Sequence, residues 1–309
     1  MKPSREHVIW GYRLFLNREP ESETVVEQKL RSAPSVAELR RQFVSSVEFR
    51  EQIDAFENFD ATNIVIKEIA GNLRLFVDLG DSQVGLNVIS GSYELQEREF
   101  ILATLTPGDI AIDVGANIGF FSILMAGRVG SIGHVYAFEP LPRNASLLER
   151  SIAENDFQSR ITLFRDAVAD RAGSLELISP IVTNNWGGPY LRTGEAVVPP
   201  GHEITIVGLG KLDDYPVRRP VRLIKLDAEG AELLALRGAQ SLLQTDRPIV
   251  LAEINPEQLR MVSGCSANEM IAEMAAAGYR CFRLAGEGRG EELTAYGSND
   301  ITNVIFTAT

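Results

Sequence analysis

Residues 111–122 read AIDVGANIGFFS: an apolar stretch ending in Asp113, a turn carrying Gly115 and Gly119, then an apolar run of helical composition. Strand, glycine turn and helix in that order open a βαβ unit. In an open parallel sheet such a turn lies beyond the carboxyl end of its strand, where ligands bind. Gly115 lets the backbone bend tightly and a ligand approach closely. Gly119 opens a helix whose first amides favour a negative group. The dinucleotide pattern G-x-G-x-x-G is not met, because Asn117 and Phe120 stand at its second and third glycine positions. Asp113, two residues before Gly115, would repel a pyrophosphate and attract a cationic group, with Ala116 completing the turn.

Outward from this stretch, strands and helices alternate. HVYAFEP (134–140) is a strand and RNASLLERSIAEN (143–155) a helix; RITLFRDAVAD (160–170) and SLELISP (174–180) are strands. A polar loop containing TNNWGGPY (183–190) follows, then strands EITIVGL (203–209) and VRLIKLDAEG (221–230). AELLALRGAQSLLQ (231–244) reads as one helix, PIVLAEIN (248–255) as a strand, SANEMIAEMAAAGY (266–279) as a helix, and RCFRLA and TNVIFTAT as closing strands. This alternation implies an α/β protein with a mainly parallel sheet and helices on both faces.

The polar residues that end these strands are the candidate site. Glu139, followed by Pro140, closes the second strand, where a carboxylate can accept hydrogen bonds from both hydroxyls of a ribose. Asp166 and Ala167 end the third, suited to an adenine amino group. Lys225, Asp227, Glu229, Glu232 and Glu253 are a dense set of charges on otherwise apolar strands, where unpaired charge is rare. Asp227 and Glu229 are expected to face the cleft as candidate general bases, with Lys225 and Glu253 as charged partners. Glu232 suits the first turn of a helix by its dipole. His202, in a loop, is a further candidate base. His7, His134 and His202 are scattered, and neither HExxH nor CxxC occurs, so no zinc site is expected.

Residues 1–58 are read as a separate helical domain. HVIWGYRLFLNREP puts Val8, Trp10, Leu14 and Phe15 near one helical stripe before a break at Glu19-Pro20. Ser35 is an N-cap with Glu38 at the capping-box position. Residues 59–95 switch to strands, NIVIKEI and LRLFVDL, around a Gly71-Asn72 hairpin turn, before a helix in YELQEREFILATL. The 309 residues carry a net charge of −12, which argues against nucleic-acid binding. No apolar run reaches the ~20 residues of a membrane span, and no signal peptide is read at the N-terminus. Cys265 and Cys281 are expected to be free buried thiols, which fits a reducing, cytoplasmic setting.

Together GDIAIDVGANIGFFS, YAFEP, IKLDAEGAELLALRGA and PIVLAEI resemble the FkbM-type methyltransferases over about residues 90–309. The resemblance implies a class I methyltransferase fold: a Rossmann-like, mainly parallel seven-stranded sheet in residues 59–309, with 96–309 as catalytic core. It implies S-adenosylmethionine as cofactor and methyl transfer to a hydroxyl of a sugar, a glycan or a glycosylated metabolite. SGSYELQEREF places Tyr93-Glu94 at the family's Tyr-Glu, and Asn184–Gly188 matches a substrate-side segment, making Asn185 and Trp186 candidate substrate residues. Some related methyltransferases hold a divalent cation through carboxylates at the fourth and fifth strand ends, where Asp227 and Glu253 stand and Asn255 could add an oxygen; a metal is possible there but not expected, because the Lys225 ammonium can supply that charge. YRLFLNREPES with LRRQFVSSVEF resembles a small helical domain of unassigned function, found beside glycan-modifying enzymes, and a homodimer or protein contact through it is a further expectation. The alternatives are O-methylation of a non-sugar metabolite, or a scaffold that binds S-adenosylmethionine without reacting.

Overall fold

The structure, a computed structural model, describes residues 2–16, 18–44, 46, 63–81, 83–180, 188–193 and 198–309. The chain divides into two compact units, Met1–Val65 and Ile66–Thr309. In the first, α1 (Arg5–Leu16), α2 (Glu23–Ser32) and α3 (Val36–Val44) pack together. Val8, Tyr12 and Leu16, spaced four apart, form the buried face of α1, whereas Trp10 is 54% exposed. The stripe is therefore rotated from the expected one. Its cause is Phe43, which stacks edge-on against Tyr12 and lies where any side chain at Gly11 would be. Ser35 accepts from the Glu38 N–H, as an N-cap does.

A hairpin, β1 (Ile64–Ala70) and β2 (Leu73–Asp78), is turned by Gly71 and Asn72 at φ of +52° and +72°. Both central residues at positive φ give a turn whose twist matches the strands. Helices α4 (Gly85–Ser90) and α5 (Leu95–Thr104) lead to β3 (Ile110–Val114), α6 (Phe120–Val129), β4 (His134–Phe138), α7 (Pro142–Glu154) and β5 (Ile161–Phe164). Next come β6 (Asp166–Val168), β7 (Gly173–Pro180), β8 (Tyr190–Leu191), β9 (His202–Gly210) and β10 (Leu223–Leu226). Then α8 (Glu232–Arg237), α9 (Gln240–Thr245), β11 (Ile249–Ile254), α10 (Pro256–Val262), α11 (Ala267–Ala276), β12 (Tyr279–Ala285), β13 (Gly288–Glu292) and β14 (Thr302–Ala308) complete the chain.

The main sheet has the order β13-β12-β14-β11-β10-β3-β4-β5. Its five strands from β11 to β5 are parallel, and β14, β12 and β13 are antiparallel. The class I methyltransferase fold is thus present, with eight strands where seven are expected. The extra strand is β13, a short exposed ribbon that returns along β12 after a turn at Gly286. Ile112, Val114, Phe138, Ile224, Val250 and Ile254 form one core with Leu233, Leu236, Leu242, Leu259 and Met270 from α8 to α11. Helices α6 and α7 pack on the strands separately.

Three local readings are corrected. RITLFRDAVAD is two strands, because after Phe164 the chain leaves the main sheet and β6 joins a second one, β6-β9-β7-β8. AELLALRGAQSLLQ is two helices, broken at Gly238, where a Cβ would lie 2.1 Å from the Ala169 carbonyl oxygen. The loop after β7 contains the short strand β8, paired with β7. Both cysteines are free and buried. Among the described residues no helix is long and apolar enough to cross a membrane.

Candidate active site

The carboxyl ends of β3, β4, β10 and β11, with the turns after them, line a cavity of about 360 Å³. That size falls in the range of ~300–1,000 Å³ typical of small-molecule sites. The parallel register sets Lys225 beside Asp113 and Leu226 beside Val114, so Asp227 emerges next to Gly115. A Cβ at Gly115 would lie 1.8 Å from the Asp227 carbonyl oxygen, and its φ is +77°. The missing side chain therefore makes room for the neighbouring strand end, not for a ligand. The N–H groups of Gly115 and Ala116 both donate to the Phe138 carbonyl, which ties this turn to β4.

Glu139 is the hub of the next strand end. Its Oε2 accepts from the Asn117 N–H at 2.7 Å and its Oε1 from the Leu141 N–H at 2.8 Å. Asn117 reaches this geometry at φ +53°. Burial pushes the Glu139 carboxyl up to about 7, against the lowering effect of the two backbone donors. Each oxygen has one backbone partner and keeps acceptor capacity toward the cavity. Asp166 accepts from the Tyr215 hydroxyl at 2.9 Å, and Gly208 of β9 clears its other oxygen, since a Cβ there would lie 2.1 Å away. Between Glu139 and Asp166 the wall is apolar: Phe138, Ala167, Val168, Leu177 and Leu191.

At the other end stand Glu94, Asp227, Glu229 and Glu253. The Lys225 ammonium, buried behind them, lies 2.9 Å from Asp227 Oδ2 and 4.7 Å from the centre of the Phe121 ring. Burial disfavours its charge, but Asp227, Glu94 and Asp113 together outweigh that and raise its pKa. Burial, reinforced by Asp227, pushes Glu229 and Glu253 up to about 8. Glu94 rises to about 7, with burial the largest cause and Lys225 opposing it. A smaller void of about 70 Å³ adjoins, lined by Glu94, Glu97, Lys225, Asp227, Glu253 and Asn303.

Of the residues singled out in the sequence, the cavity wall holds Glu94, Gly115, Asn117, Glu139, Pro140, Asp166, Ala167, Asp227, Glu229 and Glu253. Asp113 is placed elsewhere. It is fully buried, accepts from the Ser122 hydroxyl at 2.6 Å, and faces the Lys225 charge across the strands. Ala116, Gly119 and Phe120 are likewise set behind the wall. Gly119 lets α6 seat against Leu148 of α7, and Phe120 stacks edge-on against Tyr93. Glu232 accepts from the N–H groups of Ala228 and Gly230, closing the turn ahead of α8. His202 begins β9 with its Nδ1 3.4 Å from the Pro200 carbonyl and does not line the cavity. Asn185 and Trp186 lie outside the described residues. Asn255 caps α10, accepting from the Gln258 N–H. Among the described residues no group of three or more His, Cys, Asp or Glu side chains is arranged to hold a metal ion.

Residues the sequence left unmarked also line the cavity: Gln83, Asn87 and Ser92 around α4, and Asn144 of α7. Helix α4 is too short to show a period. Asn144 sits five residues past Glu139, on the turn of a helix that opens with Pro142, a legible start signal.

Five buried carboxyl groups that hold protons up to about pH 7 or 8 set the pH dependence of stability. In the unfolded chain each would ionise near ~4.3. Between these values the native state binds more protons than the unfolded state, so stability falls as pH rises. The unfolding midpoint of the ligand-free protein is expected to drop steadily from pH 5 to pH 8 in a thermal melt. A midpoint that rises over that interval would remove these raised values.

Comparison with known proteins bears on the same region. A family model described as the methyltransferase FkbM domain matches residues 113–281. The methyltransferase sdnD of Sordaria araneosa is 29% identical over 189 residues, covering 52% of this chain and 71% of that protein. Among solved structures, the methyltransferase FkbM of Methylobacillus flagellatus KT aligns at 17% identity and a TM-score of 0.41, covering 73% of this chain and 55% of that one. TYW2 of M. jannaschii, in complex with AdoMet, aligns at 12% identity and a TM-score of 0.43, covering 81% and 89%.

Proposed function

We propose, from the premise that the chain belongs to the FkbM methyltransferase family, that it is an S-adenosylmethionine-dependent O-methyltransferase acting on a hydroxyl of a sugar in a glycan or glycosylated metabolite. One observation carries the choice of cofactor. Among the described residues the cavity is lined by six carboxylates, Glu94, Glu139, Asp166, Asp227, Glu229 and Glu253, and by no Lys, Arg or His. Such a wall offers phosphates no cation to pair with, and its carboxyl groups, raised by burial, ionise when a positive charge enters, so it favours a ligand bearing positive charge. The donor set fits the parts of S-adenosylmethionine: Glu139 for the ribose hydroxyls, Asp166 and the apolar wall for the adenine, Glu94 and Asp227 for the cationic end. When bound, that cofactor supplies a methyl group on a positively charged sulfur.

The chain's own residues must then hold an acceptor hydroxyl and remove its proton. Glu229 is assigned that proton, with Glu253 beside it. Both carboxyls sit near pH 8, and a base is most effective when its pKa lies near the working pH. Lys225 pairs with the adjoining Asp227 and holds its carboxylate at the cavity wall without itself meeting the cavity. A neutral acceptor such as a sugar suits the acidic wall better than a phosphorylated one. The N-terminal helical unit is assigned to contact with a polymeric acceptor or a protein partner, a second copy of the chain included; its exposed Trp10 supports such a surface.

The test is made in cells. In a strain lacking the gene, glycans should be lighter by one methylene unit per site, a hydrogen standing in place of a methyl, and the wild-type gene should restore the difference. Glu229→Gln should fail to restore it at normal protein level, since a general base contributes roughly 10²–10⁴ in rate. Unchanged glycan masses would remove the glycan acceptor, and full restoration by Glu229→Gln would remove Glu229 as the base.

A further inference from the structure

We propose, on the reading that Glu229 takes the acceptor's proton, that Gln258 is the positioning residue for that base, holding the Glu229 carboxylate at the cavity through its side-chain amide. Glu229 sits at φ +50°, in the left-handed region. A glutamate has no short polar side chain to stabilise that conformation locally, as Asn does, so the surroundings must hold it. Such a residue at a ligand cavity is a functional candidate.

The hold comes from α10. Among the described residues, the hydrogen bond to the Glu229 carboxylate is donated by Gln258 Nε2. Gln258 is fixed in turn by the helix start, where Asn255 accepts from its backbone N–H. Gly230, at φ +97°, lets that helix come close, because a Cβ there would lie 2.4 Å from the Gln258 carbonyl oxygen. Ser263, just past α10, donates through its hydroxyl to the Gly230 carbonyl. The turn bearing Glu229 is thus clamped to α10 by a side chain, a backbone approach and a hydroxyl. Gln258 Oε1 is buried and has no hydrogen-bond partner among the described residues. Turning the amide over would place that oxygen against the carboxylate, so the arrangement is accepted at the cost of an unsatisfied acceptor. That cost is expected where a side chain serves a neighbour and not its own packing.

The charged groups facing Glu229 are Asp227 on its own turn, Glu232 at the head of α8, Lys225 on β10 and Glu253 on β11. Burial pushes its pKa up first, Asp227 and Glu232 add to that, and the Gln258 amide and Lys225 oppose them. Removing the amide therefore has a defined sign.

The experiment is an NMR pH titration of the full chain, isotope-labelled at the glutamate side-chain carboxyl carbon. Glu229→Gln identifies the Glu229 signal by its loss. In the wild type the midpoint is expected near 8. In Gln258→Met, of similar length and apolar, it should rise by about one to two pH units, the loss of one donor to a charged group. In Gln258→Glu it should also rise, by the added negative charge. S-adenosylhomocysteine titration and a thermal melt report whether each variant keeps the cavity. A Glu229 midpoint unchanged in both folded variants overturns the proposal. If both midpoints rise but Glu229→Gln still restores glycan methylation, the contact stands and the assignment of Glu229 as base fails.

Discussion

Gly115→Ala is expected to destabilise the protein by about 3 kcal/mol or more, and to abolish binding of S-adenosylmethionine. Two costs act together. Alanine at φ +77° is strained by ~1–3 kcal/mol. The new methyl also meets the Asp227 carbonyl oxygen at 1.8 Å, a backbone atom that cannot swing away. Overpacking of this kind typically costs a further ~1–3 kcal/mol. Relief requires that the ends of β3 and β10 part, which displaces Asp227 from the wall and loosens the turn that presents Asn117 to Glu139. Gly91→Ala separates the two costs. Its φ is +74°, but nothing lies within 4 Å of the added carbon. Denaturant unfolding should show about 1 kcal/mol for Gly91→Ala and about three times that or more for Gly115→Ala. Equal losses would mean that the strand ends do not meet as described.

Lys225→Met should cost about 3–5 kcal/mol near pH 8, the usual result of removing one partner from a buried charged group. Asp113 suffers most: with Lys225 gone, the Ser122 hydroxyl remains as its hydrogen-bond donor, and it is wholly inside the sheet. It would then take up a proton that the unfolded chain does not bind near neutrality. The native state of the variant binds more protons, so the deficit should shrink as pH falls toward 5. Adding Asp113→Asn, which keeps the shape and removes the charge, should recover part of the loss at pH 8. Failure of the second change to recover any stability would show that Asp113 and Lys225 are not coupled across β3 and β10.

The frame of the site is legible in the chain because carboxylates are rare at the ends of apolar strands. Glu139, Asp166, Asp227, Glu229 and Glu253 all stand out that way, and each lines the cavity. Asp113 stands out equally, yet lies behind the wall. The difference is one of register: Lys225 pairs with Asp113, so both are interior while Asp227 and Gly115 emerge. Register between strands more than 100 residues apart is set by tertiary packing and has no local sign. The same holds for the second sheet, where RITLFRDAVAD looks continuous but changes partners at Arg165. Gln258 was missed for another reason. Its helix spans seven residues, too few for a period, although Asn255-Pro256 is a helix start that marks it.

The central claim is that a carboxylate-lined cavity binds a positively charged nucleoside and not a phosphorylated one. Calorimetric titration of the purified chain at pH 7.5, about half-way through the raised carboxyl range, tests it directly. S-adenosylmethionine should bind with micromolar affinity of the order common to small-molecule sites, roughly −8 kcal/mol. Glu139→Gln should weaken it by about 10² through loss of a charged acceptor to the ribose hydroxyls. NAD and ATP should give no heat. Binding of NAD or ATP, with none of S-adenosylmethionine to the folded protein, would contradict the account.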